Sequence, residues 1–212
     1  MQKKRLELPS NKVIYSQTVE YIEKERTFLL FKGSSLDSII ESSSYASEKG
    51  FNLIGIDIRT PGLKDYLKSL KKHGQRRFGV FSVSSKKEAR IAINAGVTFI
   101  FSTHSDRGII RSCNKGAVFN SIGSLTPNEV YNATEAGAKT ISIFPCNRMG
   151  GVSWFLFLRE IFPKIKFIPT DQMSPTAASQ YIKEGAYAVA PVINLEETGN
   201  PNKLIEDFKE VR

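Results

Sequence analysis

The sequence predicts an α/β fold, a single (β/α)8 barrel with an extra N-terminal helix. Short apolar runs alternate with amphipathic stretches along the chain and form eight strand–helix units. The apolar runs carry no polar alternation, which is typical of parallel strands that are covered on both faces. No linker or compositional change divides the chain, so we expect one domain over residues 1–212, with the helix at about 16–26 and the barrel at about 27–212.

The elements follow from apolar spacing, taken in order along the chain. The strands are predicted at 27–31, 53–58, 78–83, 97–102, 117–121, 140–144, 166–169 and 187–192. The helices are predicted at 36–49, 62–73, 85–95, 106–114, from Thr126 to Gly137, at 151–161, from Ser174 to Gly185, and at 201–210. A doubly wound open sheet is the rival fold, but it usually has fewer strands and a glycine-rich first turn, whereas residues 32–35 read Lys-Gly-Ser-Ser.

The helix boundaries carry recognisable stop and start signals. Gly50, Gly96 and Gly137 follow the last apolar position of their helices and are typical C-terminal residues. Thr126 precedes Pro127 and stands three residues before Glu129, which is the pattern of a capping box.

Composition and charge limit the classes of function. With 212 residues, 41% of them hydrophobic, the chain is long enough for a globular core. Cys113 and Cys146 are too few for a disulfide framework, so we expect the cytoplasm or another reducing compartment, such as an organelle stroma. Neither a secretory signal nor an apolar run long enough to span a membrane is visible, so we expect a protein that is neither secreted nor transmembrane.

Barrels of this class place their chemistry at the C-terminal ends of the strands. On the second strand, alternation puts Gly55, Asp57 and Arg59 on one face. On the sixth strand, Thr140 and Ser142 share a face in the same way. These positions are the first candidates for a site at the barrel mouth.

Several segments, in order and at matching spacing, resemble the 2-keto-3-deoxy-6-phosphogluconate (KDPG) and KHG aldolases. The resemblance covers about residues 27–195. The matching segments are residues 50–61 (GFNLIGIDIRTP), 95–102 (AGVTFIFS), 125–130 (LTPNEV), 135–138 (EAGA), 143–145 (IFP) with 150–151 (GG), 162–170 (FPKIKFIPT) and 185–189 (GAYAV).

The resemblance implies a retro-aldol cleavage through a Schiff base on a lysine, without a cofactor or a metal. The family's lysine falls on Ser142 here, whose hydroxyl cannot form an imine, and its glutamate falls on Gly55. The family's arginine is kept as Arg59. Its phosphate-binding turns read Asp171-Gln172 and Val192-Ile193 here, which puts an acidic side chain and two β-branched residues in the place of a phosphate cup.

These changes predict a catalytically inactive relative, a pseudoenzyme that acts as a binding or structural subunit of a larger assembly. The alternative is an aldehyde-lyase that releases pyruvate from a non-phosphorylated 2-keto acid, with Lys32 as the nucleophile beside Asp57 and Arg59. The more ordinary interpretation of Lys32 is an ion pair with Asp57. A third reading is a small-ligand sensor. Whichever reading holds, the candidate substrate-binding residues are Arg59, Ser82 and Thr170.

Two further side chains near the mouth are of types that can take part in catalysis. His104 follows the fourth strand, but no zinc-type cluster of histidine and cysteine accompanies it. Cys146 follows the sixth strand without a histidine to activate it. We therefore expect a loop histidine and a passive cysteine.

Two surfaces predict partners. The net charge is +9 and the pI is about 9.5. Lysines and arginines gather in the turns that precede the strands and form a predicted basic face of Lys49, Lys71, Lys72, Arg76, Arg77, Lys115, Lys139, Lys164, Lys166 and Lys183. Such a face would contact an acidic protein or an anionic membrane, and nucleic acid is not favoured because aromatic interleaving is missing.

The sixth helix after the N-terminal one carries more large apolar groups than one buried stripe needs: Trp154, Phe155, Phe157, Leu158, Ile161 and Phe162. Another subunit is expected to cover part of it, and the resemblance implies a homotrimer. The alternative is that all of them pack against the barrel.

Overall fold

In the computed structural model, eight parallel strands follow one another around a closed barrel, and the last strand pairs with the first. The structure describes residues 10–73 and 78–211, except the side chains of residues 70–73. The strands are β1 (Leu29–Lys32), β2 (Ile54–Asp57), β3 (Gly79–Val83), β4 (Phe99–Ser102), β5 (Phe119–Ser124), β6 (Thr140–Ile143), β7 (Lys166–Asp171) and β8 (Ala190–Asn194). This closed order confirms the predicted (β/α)8 barrel and excludes the open sheet.

Helices alternate with the strands and form the outer layer. They are α1 (Asn11–Glu25), α2 (Leu36–Glu48), α3 (Leu63–His73), α4 (Lys86–Ala95), α5 (Arg107–Gly116), α6 (Pro127–Glu135), α7 (Gly151–Ile161), α8 (Pro175–Lys183) and α9 (Pro201–Asp207). Short 3₁₀ helices cover Asn147–Met149 and Phe208–Val211. The capping box predicted at Thr126 is confirmed, with Thr126 accepting from the Glu129 backbone and Glu129 accepting from that of Thr126.

The predicted bounds of several elements differ from the structure by a few residues, and two of the larger differences arise from contacts that a local pattern does not contain. The N-terminal helix begins at Asn11 rather than at about residue 16, and Ile14 and Tyr15 in the added turn are half-buried by tertiary packing. The last strand was predicted at 187–192, but only an isolated bridge joins Val189 to Thr27, and regular pairing begins at Ala190.

Alternation along the strands divides the core into two layers. Outward side chains, such as Phe31 and Ile56, pack beneath the helices. Inward side chains fill the barrel, where the rings of Phe28 and Phe99 meet edge-to-face at 4.9 Å between centroids and those of Phe28 and Phe101 at 5.0 Å. The barrel interior is therefore packed with phenylalanine rings.

Helix α1 covers the N-terminal end of the barrel. Ile22 is fully buried with Phe28 and Leu53 in the inner layer. The buried Glu25 carboxylate accepts hydrogen bonds from the Asn52 backbone N–H at 3.0 Å and from the Asn52 side chain at 2.5 Å. These contacts fix the C-terminal end of α1 against the start of β2.

Helix α7 leaves part of its apolar surface exposed. Phe155 and Leu158 are buried, whereas Phe157 and Ile161 are each 44% exposed. The Trp154 indole is half-buried, and its Nε1 donates a hydrogen bond to the Leu125 carbonyl at 2.8 Å. The alternative in which all of these groups pack against the barrel is therefore wrong for this chain.

The turns before the strands present lysine to solvent. Lys49 pairs with Glu206 at 2.7 Å, so its charge is matched within the chain. The side chains of Lys71, Lys72, Arg76 and Arg77, which belong to the predicted basic face, lie outside the described residues. The exposed members of that face are Lys115, Lys139, Lys164, Lys166 and Lys183. Within the two described ranges, no helix is both long and apolar enough to cross a membrane.

Candidate functional site

Asp57 and Arg59 form a salt bridge at the barrel mouth. The Asp57 carboxylate is 4% exposed and accepts from Arg59 Nε at 3.0 Å and from Arg59 Nη2 at 2.7 Å. The Arg59 backbone N–H also donates to Asp57 at 3.0 Å. Hydrogen bonding to Asp57 raises the pKa of Arg59 above its usual value. The pair is thus a fixed, two-pronged salt bridge at the C-terminal end of β2.

Ser82 completes this group from the next strand. Its hydroxyl donates to Asp57 Oδ2 at 3.1 Å and lies 3.2 Å from Arg59 Nη2. Ser82 has a φ of +61°, and the pairing of β3 with β4 shifts register between Val80 and Val83. A left-handed serine at a bulge is a strained backbone feature, and it points the hydroxyl at the carboxylate.

Lys32 lies on the wall of an open cavity at the mouth. The expected ion pair with Asp57 was wrong, because the guanidinium of Arg59 occupies that carboxylate. Hydrogen bonds from Ser34 lower the pKa of Glu196, and the charge of Lys32 adds to this lowering. Lys32, Asp57 and Arg59 line the cavity together with Asn194 and Glu196. The three residues named for the alternative lyase therefore share one part of the mouth.

On the opposite side of the barrel, Ser142 and Thr170 form a neutral, buried pair. Ser142 is 1% exposed and donates to Thr170 Oγ1 at 2.7 Å. Thr170 in turn donates to the Ile168 carbonyl at 3.0 Å. Both hydroxyls are therefore committed to a chain of hydrogen bonds that runs from β6 to β7.

Asp171 is buried, and its carboxylate holds a loop. It is 3% exposed, and its carboxylate accepts from the backbone N–H groups of Asn147 at 3.0 Å, Arg148 at 3.4 Å and Gln172 at 2.8 Å. The Asn147 side chain returns a hydrogen bond to the Gln172 carbonyl at 2.9 Å. The acidic group thus ties the end of β7 to the loop between β6 and α7.

The last strand ends without a glycine turn. Val192 packs against the inner layer, whereas Ile193 is 1% exposed and faces the helices. Asn194 follows at the mouth, 4% exposed, and its Oδ1 accepts from the Glu196 backbone at 3.3 Å.

Gly55 faces the barrel interior next to an aromatic ring. A Cβ placed on Gly55 would lie 2.6 Å from Leu30 Cδ2 and 3.1 Å from Phe99 Cε2. A Cβ on Gly79, the neighbouring inward position on β3, would overlap the same Phe99 ring. Leu30 and Phe99 therefore fill the space that a side chain at Gly55 would need, and Phe99 fills that of Gly79. Sequence reasoning missed Phe99, although two inward glycines beside a strand with two phenylalanines are a signal of small-to-large packing.

The remaining nucleophile and base candidates take ordinary structural places. Burial raises the pKa of the Cys146 thiol to about 12, which keeps it protonated at neutral pH. His104 is exposed, with its Nδ1 2.9 Å from Thr103 Oγ1. Among the described residues, no three His, Cys, Asp or Glu side chains gather as a metal site.

A comparison with known proteins gives this geometry a context. The family profile described as "Aldolase: KDPG and KHG aldolase" matches residues 25–203. The chain belongs to the KDPG and KHG aldolase family. A 2-dehydro-3-deoxy-phosphogluconate aldolase of Zymomonas mobilis is 24% identical over 136 residues, which are 63% of this chain and 64% of that protein. The match thus spans less than two thirds of this relative's length.

Solved structures share the fold at low identity. A KDPG aldolase from Legionella pneumophila, with pyruvate captured as a covalent carbinolamine, is 17% identical with a TM-score of 0.71 and covers 96% of each chain. A cube-shaped protein cage designed by fusing symmetric oligomeric domains is 17% identical with a TM-score of 0.77, and the match covers 87% of this chain and 71% of that one.

Proposed function

We propose that this chain is a catalytically inactive member of the aldolase family that serves as a binding or structural subunit. One observation carries the proposal: the side chain at the position that resembles the family's lysine is the hydroxyl of Ser142, buried and bonded to Thr170 at 2.7 Å. A hydroxyl has no amine to condense with a ketone, so an imine has no starting point there.

Two other positions that differ from the family's pattern, Gly55 and Asp171, support the same proposal. Gly55 takes the position that resembles the family's glutamate, and the Phe99 ring stands against it. Asp171 takes the position of a phosphate-binding glycine, and its carboxylate is used by backbone amides. Each of the three changed positions is thus integrated into the fold by packing or hydrogen bonds.

Borohydride trapping with pyruvate tests the inactive reading. We expect intact-mass spectrometry to find no reduced adduct on the unaltered chain after incubation with about 1 mM pyruvate, since a Schiff base needs a reactive amine. A matched variant, Ser142→Lys combined with Gly55→Glu, Leu30→Ala and Phe99→Ala, restores the amine and the carboxylate and removes the two side chains that stand against Gly55. A stable adduct on the unaltered chain, or its release of pyruvate from a 2-keto sugar acid, would overturn the proposal.

A second candidate function rests on the shared cavity of Lys32, Asp57 and Arg59. In this reading Lys32 forms the imine, Arg59 holds the carboxylate of a non-phosphorylated 2-keto acid, and Asp57 orients Arg59. The same trapping experiment separates the candidates, because peptide mapping would then place the adduct on Lys32. Lys32→Arg should abolish that adduct, while Lys115→Arg, on the opposite face, should leave it unchanged.

The exposed apolar groups of α7 support association as part of this function. Phe157 and Ile161 form an apolar surface beside Trp154. We expect a homo-oligomer, and specifically a trimer, which size-exclusion chromatography with light scattering would measure. Phe157→Glu should yield monomers with an unchanged circular dichroism spectrum, and Lys183→Gln, which also changes the net charge by one unit, serves as the charge-matched control.

The basic face supports a second kind of contact, with an acidic protein or an anionic membrane. Its exposed lysines would lose this attraction at high ionic strength, because the Debye length falls from about 10 Å at 0.1 M salt to about 3 Å at 1 M. Capture from the native source at low and high salt tests this. Association that does not change with salt would argue against the basic face.

A further inference from the structure

A cavity of about 260 Å³ lies between α1 and the side of the barrel formed by α2, β2 and α3. It is at the N-terminal end of the strands, opposite the mouth that holds Asp57 and Arg59. Its walls include residues from α1 and α2, from the start of β2, from α3, and from the positions just before β3 and β4. The lining includes Gln17, Tyr21, Ser43, Phe51, Tyr66 and Thr98.

One face of α1 lines this space. Ile14, Gln17, Thr18 and Tyr21 recur at helical spacing and all line the cavity. Ile22, one turn after Thr18, is buried in the packed interior, and Tyr21 also packs against that interior. The helix therefore forms one wall of the cavity and also closes the barrel beneath it.

Two buried hydroxyls on the walls have no partner. Ser43 is 8% exposed and Thr98 is 7% exposed, and among the described residues neither Oγ of Ser43 nor Oγ1 of Thr98 has a hydrogen-bond partner. Buried polar atoms in folded proteins nearly always have a partner from protein, water or ligand. These hydroxyls come from α2 and from the start of β4, so an occupant that bonds to either is anchored to the scaffold.

The walls also indicate the chemistry of the occupant. Of the described residues that line the cavity, none is charged, so a charged ligand would lose its hydration without an ion pair. Four of them are aromatic, and the rings of Tyr66 and Phe78 stack at 6.2 Å. A cavity of about 150 Å³ accommodates benzene, so this larger one suits two fused rings.

We propose that this cavity is a binding site for an uncharged bicyclic aromatic molecule that carries a hydroxyl or carbonyl group. The rings would lie among Phe51, Tyr66 and Phe78, and the polar group would bond to Thr98 or Ser43. The site is separate from the mouth, so it is independent of whether the aldolase chemistry is absent.

Titration calorimetry with 2-naphthol, naphthalene and 2-naphthoate tests the proposal. We expect 2-naphthol to bind with a Kd between about 10 μM and 1 mM, naphthalene to bind about tenfold more weakly, and the anionic 2-naphthoate to show no binding. Failure of 2-naphthol to bind at about 1 mM, or equal binding of the anion, would overturn the proposal.

Variants then locate the site. Thr98→Val removes one hydroxyl at constant shape and should weaken 2-naphthol about fivefold while leaving naphthalene unchanged. Thr60→Val is the matched control, because Thr60 also has a buried, unpartnered hydroxyl but lies at the mouth. Ser43→Leu fills the cavity and should abolish the binding of both ring compounds.

A measurement on the unaltered chain covers the case in which a variant fails to fold. Nuclear Overhauser contacts from 2-naphthol to the methyl groups of Ile40 and Ile54, which line the cavity, would support the proposal. Contacts only to residues of the mouth, or unchanged affinity in a folded Ser43→Leu variant, would contradict it.

Discussion

Asp57 and Asp171 are two equally buried aspartates on opposite sides of the barrel mouth, and they are held in different ways. Asp57 is 4% exposed and faces a guanidinium whose side chain is 66% exposed. Asp171 is 3% exposed and faces three backbone N–H groups, with the nearest guanidinium nitrogen 3.9 Å away on Arg148. The first is a salt bridge open to solvent, and the second is part of the backbone hydrogen-bond network.

The difference separates the mouth into two halves. The half on β2 and β3 keeps charge, a strained serine and an open cavity beside Lys32. In the half on β6 and β7, the polar side chains bond to other groups of the chain, as Ser142 bonds to Thr170. We therefore expect a ligand at the mouth to bind to the first half.

The largest expected effect is on the closed half. Asp171→Ala leaves three backbone N–H groups without their acceptor and should lower the free energy of unfolding by about 3 kcal/mol. Asp171→Asn keeps one acceptor oxygen and should cost only about 1 kcal/mol. Urea unfolding followed by circular dichroism measures both. Equal costs for the two variants would contradict the role given to the carboxylate.

The corresponding change on the open half should cost less. Asp57→Ala should lower the free energy of unfolding by about 1 kcal/mol, because Arg59 is mostly exposed and can return to water. The same urea experiment provides the number. A cost as large as that of Asp171→Ala would mean that the two halves do not differ as described.

Two substitutions of Ser82 separate backbone strain from hydrogen bonding. Ser82→Ala loses the bond to Asp57 and keeps the φ of +61°, whereas Ser82→Gly loses the same bond but accepts that φ. Ser82→Gly should therefore be more stable than Ser82→Ala by about 0.5–1 kcal/mol. If alanine is the more stable replacement, the serine is not strained.

The smallest effect concerns the thiols, which report on local opening. Burial raises the pKa of both Cys113 and Cys146 to about 12, so the reactive thiolate is scarce at pH 8 and increases only as the pH rises towards that value. We expect neither thiol to react with iodoacetamide in the folded chain, and both to react in urea. Peptide mass spectrometry measures the labelling. Cys113 is the internal control: faster labelling of Cys146 alone would show that the β6–α7 loop opens locally.

Much of the fold could be predicted because its signals are local. Apolar runs, glycine stops and the Thr126 capping box each involve residues within a few positions of one another. Alternation along β2 likewise placed Gly55 and Asp57 on one face without knowledge of any neighbour. These predictions needed only the period of a strand or a helix.

The site was less predictable, because its contacts join distant parts of the chain. The amides that hold Asp171 belong to Asn147 and Arg148, 24 and 23 positions earlier. The partner of Asp57 was misassigned to Lys32, since sequence shows proximity on neighbouring strands but not that the Arg59 side chain folds back over its own strand. The exact pairing of polar groups depends on side-chain geometry that the pattern does not encode.

The close approach of Leu30 and Phe99 to Gly55 couples substitutions at these three positions. A single mutation that places an acidic side chain at position 55 would overpack the barrel interior, because Leu30 and Phe99 occupy that space. Shortening either of these side chains first would open a void. Each kind of change is therefore destabilising alone, and each lowers the cost of the other when the two are made together.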